Sequence, residues 1–205
     1  MSRDCDPWLQ RWLPLLAARG GGAPVLELGC GAGRDTAALA AAGLAVFGLD
    51  TSAPALRRAR ARLPGVRFLR RDLRAPLPVA PGGTGAIVAS LCLHYFPWRE
   101  TAAVAARLRR ALRPGGVLLC RLNSIRDFHH GARGHPRIGR RYFRVDGERK
   151  RFFDRADVRR LFARGWRVLS LEERVIRRYE KPKVVWEVVL ERAPVLTSAR
   201  RRRRS

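Results

Sequence analysis

Three glycines at alternate positions, Gly29, Gly31 and Gly33, directly follow the apolar run Val25-Leu26-Glu27-Leu28. Glycine lets a backbone approach a ligand closely and adopt positive φ, and a helix starting just after such a loop turns unpaired N–H groups toward whatever sits there. A second apolar run ends in Gly48-Leu49-Asp50, 21 residues beyond Gly29, where a carboxylate can accept hydrogen bonds from a ribose diol. Loop and acid together point to a cofactor that carries a nucleoside. A dinucleotide fingerprint beginning at Gly29 needs glycine at position 34, and Arg34 stands there, which disfavours NAD and FAD.

Histidine is the side chain best suited to exchange protons near neutral pH. In Ser90-Leu91-Cys92-Leu93-His94-Tyr95-Phe96, His94 and Tyr95 fall just past a fourth apolar run, at the strand end where open α/β sheets bind ligands. They are the candidate catalytic pair, the alternative for His94 being a structural residue packed under the next helix. The other histidines, His129, His130 and His135, lack helical ligand spacing and have no cysteine or acidic cluster beside them, so no metal site is expected.

Positioning these groups requires a sheet. Short Val, Leu and Ile runs bounded by Gly or Pro predict strands over Pro24–Leu28, Ala45–Asp50, Val66–Arg70, Gly85–Ser90 and Gly116–Leu122. Helical composition between them predicts helices over Asp35–Ala42, Ala53–Arg62 and Trp98–Leu112, with an opening helix around Trp8–Ala18. Such alternation is the pattern of βαβ units and a parallel sheet. The polar stretch Asn123–Arg151 follows, read as a mobile cover over the active site. A helix near Arg155–Arg164 and strands Trp166–Arg178 and Val184–Glu191 come next, the strands joined by Lys181-Pro182-Lys183 into a hairpin. One domain over residues 1–194 is expected, with 1–23 as its N-terminal helix, and a disordered basic tail over 195–205.

The chain has 205 residues, and its 43 Lys plus Arg against 17 Asp plus Glu give a formal charge of +26. Lysine occurs only at 150, 181 and 183, so arginine supplies nearly all of that charge, as high-GC codon usage would also give. Weak nonspecific nucleic-acid binding through the arginine-rich surface is the functional alternative. Four cysteines at 5, 30, 92 and 120 form no CxxC pair, which argues against disulfides and a thiolate zinc site. The longest uncharged run, Ala75–Trp98, holds Pro76, Pro78, Pro81 and three glycines, so no membrane span is expected, and neither is a secretory signal in a start broken by Asp4, Asp6 and Arg11. A reducing cytoplasm is the expected compartment.

Glu27-x-Gly29-x-Gly31-x-Gly33, followed by the strand-ending Asp50, resembles the class I S-adenosylmethionine-dependent methyltransferases. Asp72-Leu73, the run Ala86–Phe96 and Leu112-Arg113-Pro114-Gly115-Gly116 extend the likeness over residues 24–122. The C-terminal part is similar to small bacterial methyltransferases of the tellurite- and thiopurine-resistance type. The resemblance implies a Rossmann-like, doubly wound, mostly parallel seven-stranded sheet with a C-terminal antiparallel hairpin, and S-adenosyl-L-methionine as cofactor. It assigns Gly29, Gly31 and Gly33 to the methionine part, with Cys30 in the same loop and Glu27 orienting it. Asp50 with Thr51 would take the ribose, Asp72 and Leu73 the adenine, and Ser90 and Leu91 the cleft wall. For Asp72 the alternative is a solvated acid beside Arg70, Arg71 and Arg74.

Methyl transfer is an in-line displacement on an activated carbon, so proximity and a dry pocket matter more than a nucleophilic residue. The acceptor, a small molecule, is expected between His94-Tyr95 and a pocket of Arg121, Asn123, Asp127 and His129. Arg121 and Asp127 have the alternative of pairing with each other. RNA or protein methylation and a silent cofactor-binding protein are the competing functions. Ser-Leu-Cys-Leu stands after the fourth strand in place of the Asn-Pro-Pro-Tyr type motif of many base-amine methyltransferases. The oligomeric state is left open.

Overall fold

The computed structural model describes residues 6–194, so Cys5 and the basic tail over 195–205 lie outside the described residues. Helix α1 (Pro7–Gly20) starts where Asp6 accepts the Trp8 N–H at 3.0 Å and Pro7 presets the first turn, and it ends at Gly21 with φ +61°. Strand β1 (Val25–Leu28), helix α2 (Arg34–Ala41), strand β2 (Val46–Asp50), helix α3 (Ala53–Arg62) and strand β3 (Arg67–Arg70) follow. Ser52 caps α3 by accepting the Ala55 N–H at 3.3 Å. Then come β4 (Thr84–Ser90), a 3-10 turn (Leu93–Tyr95), α4 (Trp98–Ala111) and β5 (Leu112–Asn123).

Seven strands form one sheet in the order β3-β2-β1-β4-β5-β10-β9, where β9 is Trp166–Ile176 and β10 is Lys183–Arg192. Strands β1 to β5 run parallel, and β10 is antiparallel to both neighbours. The expected antiparallel hairpin is present, with β10 one place inside the sheet and β9 forming that edge. Apolar side chains cover both faces, as a parallel sheet between helices requires. One face packs Leu28, Ile87, Leu118 and Leu122 against Val104, Ala105 and Leu108 of α4 and Val158 of α5 (Arg155–Leu161); the other packs Val25, Val88 and Leu119 against Leu9 and Leu16 of α1. Cys30, Cys92 and Cys120 are buried free thiols.

Two expectations need correction. Strand β5 begins at Leu112, four residues before the expected start, because Thr84 pairs with Leu112 and the register then shifts before Ala86 pairs with Val117. The extra residues around Gly115, at φ +74°, form an irregularity within the strand rather than a turn before it. The stretch after it is also not a structureless loop. Strands β6 (Arg137–Gly139), β7 (Tyr142–Val145) and β8 (Glu148–Arg151) make a small antiparallel sheet. Its apolar side is held down by Tyr142, whose hydroxyl donates to the Tyr95 carbonyl at 2.9 Å. Arg151 adds bonds to the carbonyls of Phe96 at 3.3 Å and Arg140 at 3.0 Å. Single buried aromatic and arginine anchors stabilise a polar segment that shows little apolar periodicity.

Candidate functional site

The C-terminal ends of β1, β2 and β4 surround a cavity of about 550 Å³ lined by Gly29, Leu49, Asp50, Thr51, Asp72, Leu73, Leu91 and Tyr95, among others. Gly29 has φ +66°, and a Cβ there would lie 2.6 Å from the Cys92 Cβ, so only glycine fits between loop and fourth strand. Gly31 has φ +55° and nothing within 4 Å of where its Cβ would be, leaving that backbone open to a ligand. Asp50 fixes the loop: Oδ2 accepts the Gly31 N–H at 2.8 Å and Oδ1 the Ser52 N–H at 2.8 Å. Each carboxylate oxygen retains a lone pair for a ribose hydroxyl. Leu91, at φ +55°, is a non-glycine residue in the left-handed region on the cavity wall, a strained backbone held where the strand turns away.

Asp72 lines the same cavity, but Arg74 holds it through contacts of 2.6 to 3.1 Å, and the guanidinium keeps its carboxyl below the usual range. Glu27 lies beneath the loop and accepts from Thr36 Oγ1 at 2.5 Å, tying β1 to the first turn of α2. Burial raises its carboxyl to about 8, so near neutrality it is mainly the protonated acid. Cys30 turns away from the cavity and packs against Leu56, Ala59 and Phe68.

The expected catalytic pair divides. Tyr95 lines the cavity, half-exposed, whereas His94 is buried under it with the two rings 4.3 Å apart. Burial lowers the His94 imidazole to about 3, and its Nδ1 has no hydrogen-bond partner among the described residues. It is a neutral side chain in the core, as the structural alternative required. Ser90 pairs with Arg121 across the sheet, and neither cavity described here is lined by it.

The four residues expected to form the acceptor pocket are not brought together. Asn123 is the last residue of β5, buried, and donates to the Arg151 carbonyl at 3.5 Å. Asp127 is buried against Lys183 at 3.0 Å and accepts the His130 N–H at 3.2 Å. His129 is exposed, its ring edge-to-face with Phe128 at 5.5 Å. Of the four, Arg121 alone lines either of the two large cavities described here, and its partners are Asp6 at 2.5 Å and Glu187 at 2.5 Å, not Asp127. The correction has a geometric cause: successive strand residues point to opposite faces, and β10 brings Glu187 directly opposite Arg121.

That second cavity, of about 700 Å³, lies between the start of α1, the end of β9 and the middle of β10. Arg11, Arg34, Arg121, Arg174, Arg177 and Arg178 line it with Asp6, Trp8 and Glu187. Arg178 pairs with Asp35 at 2.9 Å, and the Arg121 guanidinium lies 4.3 Å over the Trp8 ring, which belongs to the packed core of α1. Sequence reading missed Asp6, Arg178 and Glu187 here, and Glu148 of β8 on the first cavity. Arg34 carried a signal, standing where a dinucleotide loop needs glycine.

Comparison with known proteins agrees with this geometry. Residues 25–116 match the family model described as a methyltransferase domain. The chain is 43% identical over 98 residues to a trans-aconitate 2-methyltransferase of Azoarcus sp. (strain BH72), covering 47% of this chain and 37% of the relative. It is 38% identical over 117 residues to the enzyme of the same name from Paracidovorax citrulli, covering 56% and 43%. The chain thus spans less than half the length of these curated relatives. Among solved structures, a SAM-dependent methyltransferase from Methanosarcina mazei superposes with TM-score 0.73 at 16% identity, covering 88% of this chain and 97% of that one. The magnesium protoporphyrin IX methyltransferase of Synechocystis, solved with bound SAM, gives TM-score 0.64 at 18% identity, covering 90% and 78%. Residues 25–116 match a methyltransferase domain, and the seven-stranded sheet built around them has the fold of the class I S-adenosylmethionine-dependent methyltransferases.

Proposed function

We propose that the chain binds S-adenosyl-L-methionine along the glycine loop and transfers its methyl group to a small anionic acceptor in the arginine-lined cavity. The observation that carries the cofactor reading is Asp50: it fixes the loop through two amides and leaves Gly31 open beside the cavity. Asp50 and Thr51 would hold the ribose, Leu73 and Asp72 the adenine, with Leu91 and Gly29 along the chain toward sulfur. The bound cofactor supplies an activated methyl group on a sulfonium.

The acceptor reading draws on six arginines against two acids in the second cavity and on the acceptor in the relatives' name, a tricarboxylic acid. A carboxylate is already ionised at neutral pH and loses no proton on methylation, so a buried, neutral His94 is no obstacle. In this reading residues 1–194 act as one domain and 123–151 as the active-site cover, contributing Glu148 to the cleft. The setting is a bacterial cytoplasm. Among the described residues no helix is long and apolar enough to cross a membrane. The exposed Arg57, Arg58 and Arg62 give weak nucleic-acid affinity, checked by its loss between low and physiological salt.

Calorimetry with S-adenosylmethionine, S-adenosylhomocysteine and NAD tests the cofactor reading. Both adenosyl ligands bind and NAD does not, and Asp50→Ala weakens them by about 1.5–3 kcal/mol. Unchanged affinity in the folded variant overturns the assignment of Asp50, and absence of adenosyl binding overturns the function.

A further inference from the structure

The arginines of the second cavity differ in how they are paired. Arg34 and Arg177 form no ion pair with any described residue, and Arg11 and Arg174 share Glu172. Arg121 and Arg178 are both held by Asp6. Its Oδ2 is 2.5 Å from Arg121 Nη1 and its Oδ1 2.8 Å from Arg121 Nη2, the two-bond geometry in which a guanidinium takes any carboxylate. Arg178 Nη1 is 3.6 Å from the same Oδ2. A carboxylate thus sits between two guanidiniums of the cavity wall. The other acid on Arg121, Glu187, is fixed in β10 between two neighbouring strands, whereas Asp6 is the residue before α1 and reaches the cavity from the helix start.

We propose that Asp6 is a specificity-determining residue, its carboxylate occupying the berth on Arg121 and Arg178 that a carboxylate of the methyl acceptor takes, so that an anionic acceptor binds by exchanging with it. The proposal rests on the methyltransferase reading above. Exchange keeps Arg121 paired at every stage, which matters because a buried guanidinium left without a counter-charge is strongly destabilising. Asp6 leaves for water, where its charge is solvated. Replacing one carboxylate by another contributes little net affinity, so a mono-acid gains almost nothing from this berth. The gain comes from further carboxylates that meet Arg34 and Arg177, which makes di- and tri-acids the acceptors that bind.

The test uses the full chain loaded with S-adenosylhomocysteine and probes it with trans-aconitate and with its neutral trimethyl ester. Amide hydrogen exchange is followed at Trp8, whose N–H is capped by the Asp6 side chain, and at Gln10, whose N–H is bonded to the Asp6 carbonyl. The tri-acid binds and speeds exchange at both amides by about tenfold, and the ester does neither. Asp6→Asn, which empties the berth of competing charge, binds the tri-acid at least about fivefold more tightly. Tri-acid binding that leaves Trp8 exchange unchanged or slowed overturns the proposal, as do equal or weaker binding in a folded Asp6→Asn and no tri-acid binding at all. If the variant does not fold, the wild-type exchange decides. Failure of S-adenosylhomocysteine itself to bind counts instead against the methyltransferase reading.

Discussion

The cleft around Asp50 and the cavity around Arg121 lie on either side of the loop between β1 and α2, the first lined by Gly29 and the second by Arg34, and are assembled from different stretches of chain. The first takes its walls from residues 29–96, with Glu148 added from the small sheet. The second joins residues 6–11 and Arg34 to Arg121 and to 174–187, groups as far apart in the chain as Asp6 and Glu187. In the first, backbone amides and glycines do most of the shaping; in the second, ion pairs between distant side chains do. A site made of backbone is set by local geometry, so it tolerates few substitutions at few positions. A site made of paired charges is set by which strands lie side by side, and its specificity changes whenever a partner does.

Removing the central charge of the second cavity should produce the largest effect. Arg121→Met leaves Asp6 and Glu187 facing each other without their shared cation, and denaturant unfolding should show a loss of about 3–5 kcal/mol. A loss under about 1 kcal/mol would mean that the pairs add nothing to the fold, and the contrast between the two regions would fall. Gly29→Ala probes the backbone-built site. Positive φ and the close Cys92 Cβ together should cost about 2–4 kcal/mol and displace the loop, read as weakened S-adenosylhomocysteine binding.

Glu27 gives a pH-dependent version of the comparison. Its folded carboxyl is raised from 4.5 to about 8, so its contribution is fully present below pH 4.5 and is lost as pH rises through 8. Glu27→Gln keeps an acceptor for Thr36 without a titrating proton. The stability of the wild type relative to this variant should therefore fall between pH 5 and 8, by at most ~1.4 kcal/mol per pH unit. A difference that stays level over that window would place Glu27 in an ionised state throughout. The smallest effect is expected at the surface. Arg74→Ala removes an exposed, solvent-screened pair with Asp72 and should leave stability nearly unchanged in denaturant unfolding, while freeing Asp72 for the cleft and leaving S-adenosylhomocysteine affinity equal or higher. A marked loss of affinity would make the arginine, rather than the acid, the ligand contact.

How much could be read from sequence follows the same division. Strands β1 to β4 were legible within two residues, since buried parallel strands are nearly continuous apolar runs, and α3 was legible over its full length because Ser52 and Pro54 mark its start. The positions of Gly29, Asp50, Asp72 and Leu91 on the wall of the first cavity were legible because they follow from the strand ends. Asn123, Asp127 and His129 were misplaced for a different reason. Their neighbours, Arg151, Lys183 and Phe128, depend on which segments pack over the end of β5. The small sheet over 137–151 escaped notice since two anchors, Tyr142 and Arg151, rather than an alternating apolar pattern, hold it in place. His94 was ambiguous because a histidine beside a tyrosine at a strand end has the same spelling whether it faces a ligand or the core.

The place of β10 bears on the order in which the molecule is built. It is the last strand among the described residues, yet it lies between β5 and β9, so β9 has no strand of this sheet to join until Lys183–Arg192 has been made. Strands β1 to β5 can pair as they emerge, whereas the final insertion closes contacts of long sequence separation and is expected to be late. During synthesis the nucleoside cleft can form while the arginine cavity still lacks Glu187 and Arg178. On the function proposed above, a nascent chain would hold cofactor before it can hold acceptor, and methyl transfer would wait for the insertion of β10.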